Sequence, residues 1–450
     1  MTDDLAARVS ALLPGVVEDL TALVAIPSVS SLPDRHADVE QAVDAVSALL
    51  ADLACPDIQV VREGGQPAII ARFPAPEGQP TVCLYAHLDV QPTGDLALWS
   101  SAPFQATQRG ARLYGRGVVD DKAGIAVHLA ALRAFGGKPP VGVTLFIEGE
   151  EEIGSPTLAD ILARHSEALA SDVFVICDSG NWLVGTPAFT TALRGLVDLV
   201  VQVDTLDHAL HSGQFGGVAP DALTTLIRLL ATLHDDSGDV AVAGLAQAAP
   251  FALDYPAERI AEEAGLLPGV QLIGTGPIAD RVWGRPAITV LALDATSVAD
   301  ASNTLSPTAR AKVSMRIAPN QDPAAALEAL RRHLIEHAPF GANVTVTDGS
   351  TGSGTSVAMA GPVADLARDV YSSAFRNPVV EMGQGGSIPM VADFQRAYPQ
   401  AQILVTGVSD PDSRMHGIDE SLDLIDLEAA SLAEAALLQG LADQTSGRSA

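Results

Sequence analysis

The sequence is short of cysteine, of basic residues and of long apolar runs, and each shortage excludes a class of protein. Three cysteines in 450 residues are too few for a disulfide framework. Lysine and arginine total 26 against 55 aspartates and glutamates, and the net charge of −29 repels nucleic acid and anionic membrane. No apolar run is long enough to cross a bilayer, and the acidic first helix has no export signal. We therefore expect a cytoplasmic protein with no nucleic-acid or membrane partner.

Strand and helix patterns alternate through the first part of the chain. Apolar strands such as 80–90 and 141–149 flank a helical pattern over 121–136, and further helices are expected over 155–170 and 362–375. This alternation predicts an α/β fold, a mostly parallel sheet with helices on both faces. The middle of the chain has a β-α-β-β-α-β order, which is the order of a ferredoxin-like α+β domain.

The two patterns predict a smaller domain inserted into a larger one. The larger domain takes residues 1–192 and 351–450, and the inserted domain takes 193–350. The Gly/Ser-rich run 349–356 is expected to be a junction between them. Residues 240–270 within the inserted domain have no assigned place.

Carboxylates and imidazoles collect where strands end. The stretch "VTLFIEGEEEIGS" follows an apolar strand with glutamates at 148, 150, 151 and 152. The other candidates at predicted strand or loop ends are His87, Asp89, Asp120, Asp178 and His416. In open α/β sheets such groups meet at one edge, and so many acids need a cation to offset their repulsion. Oxygen and nitrogen ligands without thiolate favour Zn²⁺ or Mn²⁺, bound as a pair.

An ordered set of motifs carries a family resemblance. The motifs are "YAHLDV", "LYGRGVVDDK", "EGEEEIGS", "ICDSGNW", "LRG", "LHSGQFGG", "GGSIP" and "MHGIDE". The chain resembles the co-catalytic zinc peptidase family of carboxypeptidase G, carnosinase, aminoacylase, acetylornithine deacetylase and succinyl-diaminopimelate desuccinylase. An aspartate at 178 and the chain length favour the dipeptidase branch. The resemblance implies a hydrolase-like catalytic domain with an inserted lid and dimerisation domain.

The resemblance also implies a role for each residue of the centre. One metal ion would be held by His87, Asp120 and Asp178, and the other by Asp120, Glu152 and His416. Zn²⁺ is the expected ion, with Mn²⁺ and Co²⁺ as alternatives. Glu151 would be the general base, Asp89 would orient His87, and the bond between Asp120 and Asp121 would be cis. Glu148 and Glu150 are expected to be structural.

A second set of residues is implied to hold the substrate. His211 would reach the active site of a partner subunit and stabilise the oxyanion, which implies a homodimer formed through the inserted domain. Arg316 would bind a substrate carboxylate. The remaining candidates for this pocket are Asn303, Thr304, Gly385, Gly386 and Ser387.

The predicted activity is hydrolysis of a peptide bond in dipeptides or short peptides. A hydroxide that bridges the two ions would attack the carbonyl. Two alternatives stay open, an N-acyl amino acid deacylase or desuccinylase on the same scaffold and a non-catalytic metal-holding binding protein. No G-x-S-x-G motif supports a serine hydrolase. The pattern "HLIEH" at 333–337 imitates a zinc-protease motif, but its histidines are expected on the polar flank of a helix.

Overall fold

The computed structural model describes residues 3–386 and 389–448. None of the helices in these ranges combines the length and the apolar character that crossing a membrane requires. The chain forms two compact units. Unit 1 comprises Met1–Thr191, Val357–Met382 and Met390–Ala450, and unit 2 comprises Ala192–Ser356 and Gly383–Pro389.

The α-helices are numbered in chain order. They are α1 Asp3–Val24, α2 His36–Asp52, α3 Lys122–Ala134, α4 Leu158–Arg164, α5 Ser166–Leu169, α6 Ser212–Phe215, α7 Ala222–Ala231, α8 Ala257–Glu263, α9 Pro323–Glu336, α10 Pro362–Phe375, α11 Pro389–Ala397 and α12 Leu424–Arg448.

The strands are numbered in the same way. They are β1 Asp57–Val61, β2 Ala68–Phe73, β3 Thr81–His87, β4 Thr107–Arg109, β5 Arg112–Tyr114, β6 Gly142–Glu148, β7 Val173–Gly180, β8 Ala188–Leu193, β9 Gly195–Asp204, β10 Leu210–His211, β11 Ala287–Asp294, β12 Thr304–Leu305, β13 Thr308–Ile317, β14 Asn343–Gly352, β15 Thr355–Ser356, β16 Val380–Gln384, β17 Gln402–Ser409 and β18 Ser421–Asp423.

Unit 1 is built on a six-stranded sheet in the order β1-β2-β6-β3-β7-β17. Strands β6, β3, β7 and β17 are parallel, and β1 and β2 form an antiparallel edge. Alternate side chains face opposite layers. Leu84 and Leu145 join the core that contains α1, α3 and α12, whereas Tyr85 and Phe146 pack against Phe394 of α11. Helices thus cover both faces, and the predicted α/β fold class is confirmed.

Unit 2 contains a four-stranded antiparallel sheet in the order β11-β13-β9-β14. Helices α7 and α9 pack on one face of this sheet. The core between them includes Leu199 of β9, Val313 of β13 and Leu330 of α9. Its chain order, β9-α7-β11-β13-α9-β14, is the predicted ferredoxin-like order.

The structure shows three local features that the sequence did not predict. The Gly/Ser-rich run is largely strand, because β14 continues to Gly352 along β9 past an irregularity between Asp348 and Thr351. The single helix expected over 155–170 is two short ones, α4 and α5. Within the unassigned segment 240–270 lies the short helix α8, and Phe251 of the same segment contacts the buried Trp283.

Candidate metal centre

The topology of unit 1 brings the acidic and imidazole side chains to one edge of its sheet. Strand β3 ends at His87, β7 contains Asp178, and β17 ends shortly before the loop that carries His416. Because these strands are parallel, their carboxyl ends meet at the same edge. Asp120 joins them from the turn before α3, where Asp121 caps the helix by accepting the N–H of Gly124. The peptide bond between Asp120 and Asp121 is cis, as the resemblance implies.

Asp120 lies between the two histidines of the centre. Its Oδ1 is 3.1 Å from Nε2 of His87, and its Oδ2 is 2.8 Å from Nε2 of His416. His87 Nε2 is also 3.8 Å from Asp178 Oδ1, and His416 Nε2 is 3.2 Å from Glu152 Oε2. The structure therefore brings together all five residues that the sequence proposed as ligands, with Asp120 in the middle.

Burial and excess negative charge set the pKa values in this centre. Burial alone would lower the pKa of His87, but hydrogen bonds to Asp120, Asp178 and Asp89 hold it well above its usual value. Asp120 and Glu152 raise the pKa of His416 to about 10. Burial raises the pKa of Asp178 to about 6. Carboxylates outnumber imidazoles here, so the centre attracts positive charge.

The donor set fits a pair of divalent cations. Two groups have ligand atoms that all lie within 4.8 Å of one another, His87 with Glu151 and Asp178, and His87 with Asp120 and Glu152. Glu152 Oε1 is buried without a hydrogen-bond partner, although Oε2 accepts from Gln91 Nε2 at 2.8 Å. Nitrogen and oxygen ligands without thiolate suit Zn²⁺ or Mn²⁺. A buried carboxylate oxygen without a partner at such a place is available as a cation ligand.

Glu151 is partly buried and has a different environment from Glu152. Burial raises the pKa of Glu151 well above its usual value, and the nearby charge of Asp178 raises it further. Glu152, rather than Glu151, is the glutamate that contacts His416. The two adjacent carboxylates therefore have different neighbours, and the roles of base and ligand predicted for them stay a prediction.

Asp89 contacts more of the centre than the predicted role of orienting His87 requires. The Nδ1 of His87 is 3.0 Å from the backbone oxygen of Asp89 and 3.4 Å from its Oδ1. The same carboxylate accepts the backbone N–H groups of Glu151 at 3.2 Å and Glu152 at 3.1 Å. It also accepts from Ser30 Oγ at 2.6 Å. Asp89 therefore fixes the turn that carries both glutamates, a contact that nothing in the sequence indicated.

Gln91 is a polar neighbour that the sequence analysis missed. Its Nε2 donates to Glu152 Oε2, and Gln91 directly follows the motif "YAHLDV" that contains His87 and Asp89. The position of Gln91 next to this motif was the signal that could have identified it.

Glu148 and Glu150, the two glutamates expected to be structural, accept hydrogen bonds outside the centre. Glu150 accepts from the backbone N–H groups of Gln66 and Thr157. Glu148 accepts from Tyr85 Oη. Both carboxylates are thus bound to other parts of unit 1 rather than to the centre.

The substrate-site candidates of the inserted segment lie in unit 2. His211 of β10 pairs with Thr304 of β12, and the backbone oxygen of Asn303 accepts from Ser212 N. His211 is exposed, and its Nδ1 accepts the N–H of Gly213.

A second part of unit 2 holds the remaining candidates. Burial lowers the pKa of Arg316. Burial and the charge of Arg316 lower the pKa of Arg194 to about 10, and Arg194 Nε donates to the oxygen of Gly385. Gly386 is exposed, and Ser387 lies outside the described residues.

The zinc-protease look-alike at 333–337 has no such geometry. The ring centroids of His333 on α9 and of His337, which follows α9, are 4.0 Å apart, and His333 Nε2 contacts Thr232. The expectation that both histidines occupy a polar flank was wrong for His333, which is buried against α7 rather than exposed. Neither histidine belongs to a group of possible metal ligands within the ranges that the structure describes.

Comparison with known proteins identifies the family. Residues 83–440 match the family described as peptidase family M20/M25/M40. The chain belongs to this peptidase family. It is 35% identical over 434 residues to the cysteinylglycine-S-conjugate dipeptidase of Corynebacterium striatum, covering 94% of each chain. It is 26% identical over 447 residues to the Cys-Gly metallodipeptidase dug1 of Schizosaccharomyces pombe, covering 91% of each.

Solved structures of this family share the fold. The structure of the dipeptidase Dug1p from Saccharomyces cerevisiae aligns with a TM-score of 0.79 at 23% identity, covering 98% of both chains. Human carnosine dipeptidase 1 aligns with a TM-score of 0.77 at 23% identity, covering 98% of this chain and 100% of the other. Family membership makes this chain a metal-dependent peptidase and confirms the resemblance drawn from the motifs.

Proposed function

We propose that this chain is a dinuclear metallodipeptidase that hydrolyses the peptide bond of dipeptides, with Cys-Gly and its S-conjugates as the first substrates to assay. The observation that carries the proposal is the position of Asp120, whose two oxygens face His87 and His416 at 3.1 and 2.8 Å. Relatives of similar length that are named as dipeptidases support the choice of substrate.

The proposed ligand sets follow from these contacts. His87, Asp120 and Asp178 would hold one ion, and Asp120, Glu152 and His416 the other. Zn²⁺ is the ion that we propose, because histidine and carboxylate donors are its usual ligands. When bound, such ions lower the pKa of water and polarise a carbonyl oxygen.

The proposed proton transfers use Glu151. Glu151 takes the proton of the attacking water and passes it to the amine that leaves when the peptide C–N bond breaks. Asp89 holds Glu151 in place through the backbone N–H that it accepts.

His211 and Arg316 are proposed to bind the substrate from the inserted domain, His211 in the partner subunit of a homodimer. Because Nδ1 of His211 accepts from Gly213, the ring proton lies on Nε2, which is then a donor for an oxyanion. The residues proposed to line the same pocket are Asn303, Thr304, Gly385 and Gly386.

Dimer formation through the inserted domain has support of its own. The exposed apolar residues Val290, Leu291 and Leu293 lie on the edge strand β11. An exposed apolar edge strand is typical of a surface that pairs with another chain. A cytoplasmic location stays a prediction of the sequence.

A substrate panel tests the proposal. The Zn²⁺-loaded protein would be assayed with Cys-Gly, an S-conjugate of Cys-Gly, β-Ala-His, and N-acetyl and N-succinyl amino acids. We expect turnover of the dipeptides. Hydrolysis of the acylated amino acids alone would instead establish the deacylase alternative, and the absence of any hydrolysis would establish the binding protein. Measurement of the molar mass in solution tests the homodimer separately.

A further inference from the structure

A buried ion pair contacts the backbone of two residues of the candidate metal centre and lies outside its proposed ligand set. Arg116 Nη1 is 2.5 Å from Glu420 Oε2, and the two side chains are 1% and 0% exposed. The residues are far apart in the chain, one before α3 and the other after the loop that carries His416. A buried ion pair of this kind is costly to form, so its geometry invites a functional explanation.

Glu420 fixes the backbone of the central aspartate. While Oε2 contacts Arg116, Oε1 accepts the backbone N–H groups of Val119 at 3.1 Å and Asp120 at 3.3 Å. These contacts hold the main chain of the turn before α3, from which the Asp120 carboxylate extends. The position of the Asp120 side chain therefore depends on Glu420.

Arg116 fixes the backbone of the loop histidine. Its Nη2 donates to the backbone oxygens of His416 at 3.0 Å and Gly417 at 3.1 Å. This loop needs support, because the His416 side chain is 53% exposed and His416 and Arg414 have φ values of +59° and +54°. Few residues other than glycine adopt this region without surrounding contacts that hold them there. The fork of one guanidinium supplies those contacts here.

We propose that Arg116 and Glu420 act as a positioning pair that sets the spacing between Asp120 and His416 and thereby the affinity of the cation these two residues share. The inference rests on the proposed dinuclear function. Neither residue belongs to the proposed ligand sets, and both act through the backbone of a ligand, so both are positioning residues. A residue that orients metal ligands in this way typically changes metal affinity about 10–100-fold when it is replaced.

The test is metal binding by the full-length protein after chelation, followed by titration with Zn²⁺ against a competing chelator. In Glu420→Gln the new side-chain NH₂ group must face either the backbone N–H groups of Val119 and Asp120 or the guanidinium of Arg116. A donor cannot bind a donor, so one of these two sets of contacts is lost. In Arg116→Lys the charge remains but the fork to two carbonyls is lost. We expect at least one of two binding steps to weaken about 10–100-fold in each variant, with kcat largely restored at saturating Zn²⁺.

A matched control separates positioning from general stability. Glu434→Gln makes the same substitution in another fully buried pair, where Glu434 is 2.9 Å from His128. It should lower the melting temperature and leave both Zn²⁺ affinities unchanged. Folded Glu420→Gln or Arg116→Lys protein with wild-type affinities would overturn the inference, and Arg116→Lys carries the test if Glu420→Gln does not fold. Wild-type protein that binds fewer than two ions would instead overturn the proposed function.

Discussion

Two histidines in the described part of unit 1, His87 and His128, are fully buried against carboxylates, and they differ in the balance of charge. His128 faces one carboxylate, Glu434, at 2.9 Å, and its other ring nitrogen contacts the backbone oxygen of Tyr85 at 3.0 Å. Each ring nitrogen thus has one partner, and the pair is balanced. His87 faces the carboxylates of Asp120, Asp178 and Asp89 within 4 Å. Both histidines are buried, so surplus negative charge, rather than burial, distinguishes a candidate cation site from a structural ion pair.

The largest expected effect is on catalysis at the charged centre. Glu151→Gln keeps the shape of the side chain and removes its ability to accept a proton. We expect kcat to fall by about 10²–10⁴ with bound metal retained, because general acid–base catalysis contributes a factor of that size. Steady-state kinetics and metal analysis of the same sample check this. Unchanged turnover with metal present would show that Glu151 is not the base.

Breaking the balanced pair of His128 and Glu434 should instead lower the stability of the protein. Glu434→Gln leaves His128 buried without its carboxylate, and breaking a buried pair costs about 3–5 kcal/mol. We expect the free energy of unfolding in urea to fall by that order, with Zn²⁺ stoichiometry unchanged. Loss of metal in a folded Glu434→Gln protein would erase the distinction between the two contacts.

The pH dependence of stability sharpens the comparison. Burial lowers the pKa of His128, but the charge and hydrogen bond of Glu434 raise it more, so the folded pKa lies above the usual 6.5. The contribution of the pair is therefore complete below pH 6.5 and is lost as the pH rises through the folded pKa. The stabilities of wild type and His128→Gln should differ most below about pH 6.5 and less above it. A difference that grows with pH would contradict this assignment.

The smallest effect on stability and metal content is expected at the pattern "HLIEH" of unit 2, which imitates a zinc-protease motif. His337 is exposed at the residue that follows α9 and stacks on His333, and it belongs to no group of possible metal ligands among the described residues. His337→Ala should change the free energy of unfolding by no more than about 0.5 kcal/mol. Metal content and turnover should stay at wild-type levels. A lost ion in this variant would mean that the five-residue pattern binds metal after all.

Much of the fold could be predicted from the spacing of apolar residues and from the residues that begin and end helices and strands. The helix predicted over 362–375 matches α10, because proline at its start and an apolar stripe are local signals. The strand pairing of the Gly/Ser-rich run could not be predicted, because its pairing with β9 is a long-range contact that outweighs the low strand propensity of glycine. The segment 240–270 offered no periodic signal, and its short helix α8 has no buried residue.

The candidate site divides in the same way. Its acidic and imidazole residues could be found from the sequence, since each ends a strand or lies in a motif of the family. The contacts that hold them could not, because Asp89 reaches Glu151 and Glu152 across 62 and 63 positions and Arg116 reaches Glu420 across 304. A sequence pattern shows which side chains could bind a cation. Only the fold shows which backbone N–H groups each carboxylate accepts.

The central claim is that Asp120 joins two cation sites. Metal content per chain, measured for folded wild-type protein and for Asp120→Asn after equilibration with Zn²⁺, tests it most directly. The account predicts two ions per wild-type chain and at most one in the variant, because a neutral amide cannot replace a carboxylate whose two oxygens face His87 and His416. Two tightly bound ions in folded Asp120→Asn, or none in wild type, would contradict it.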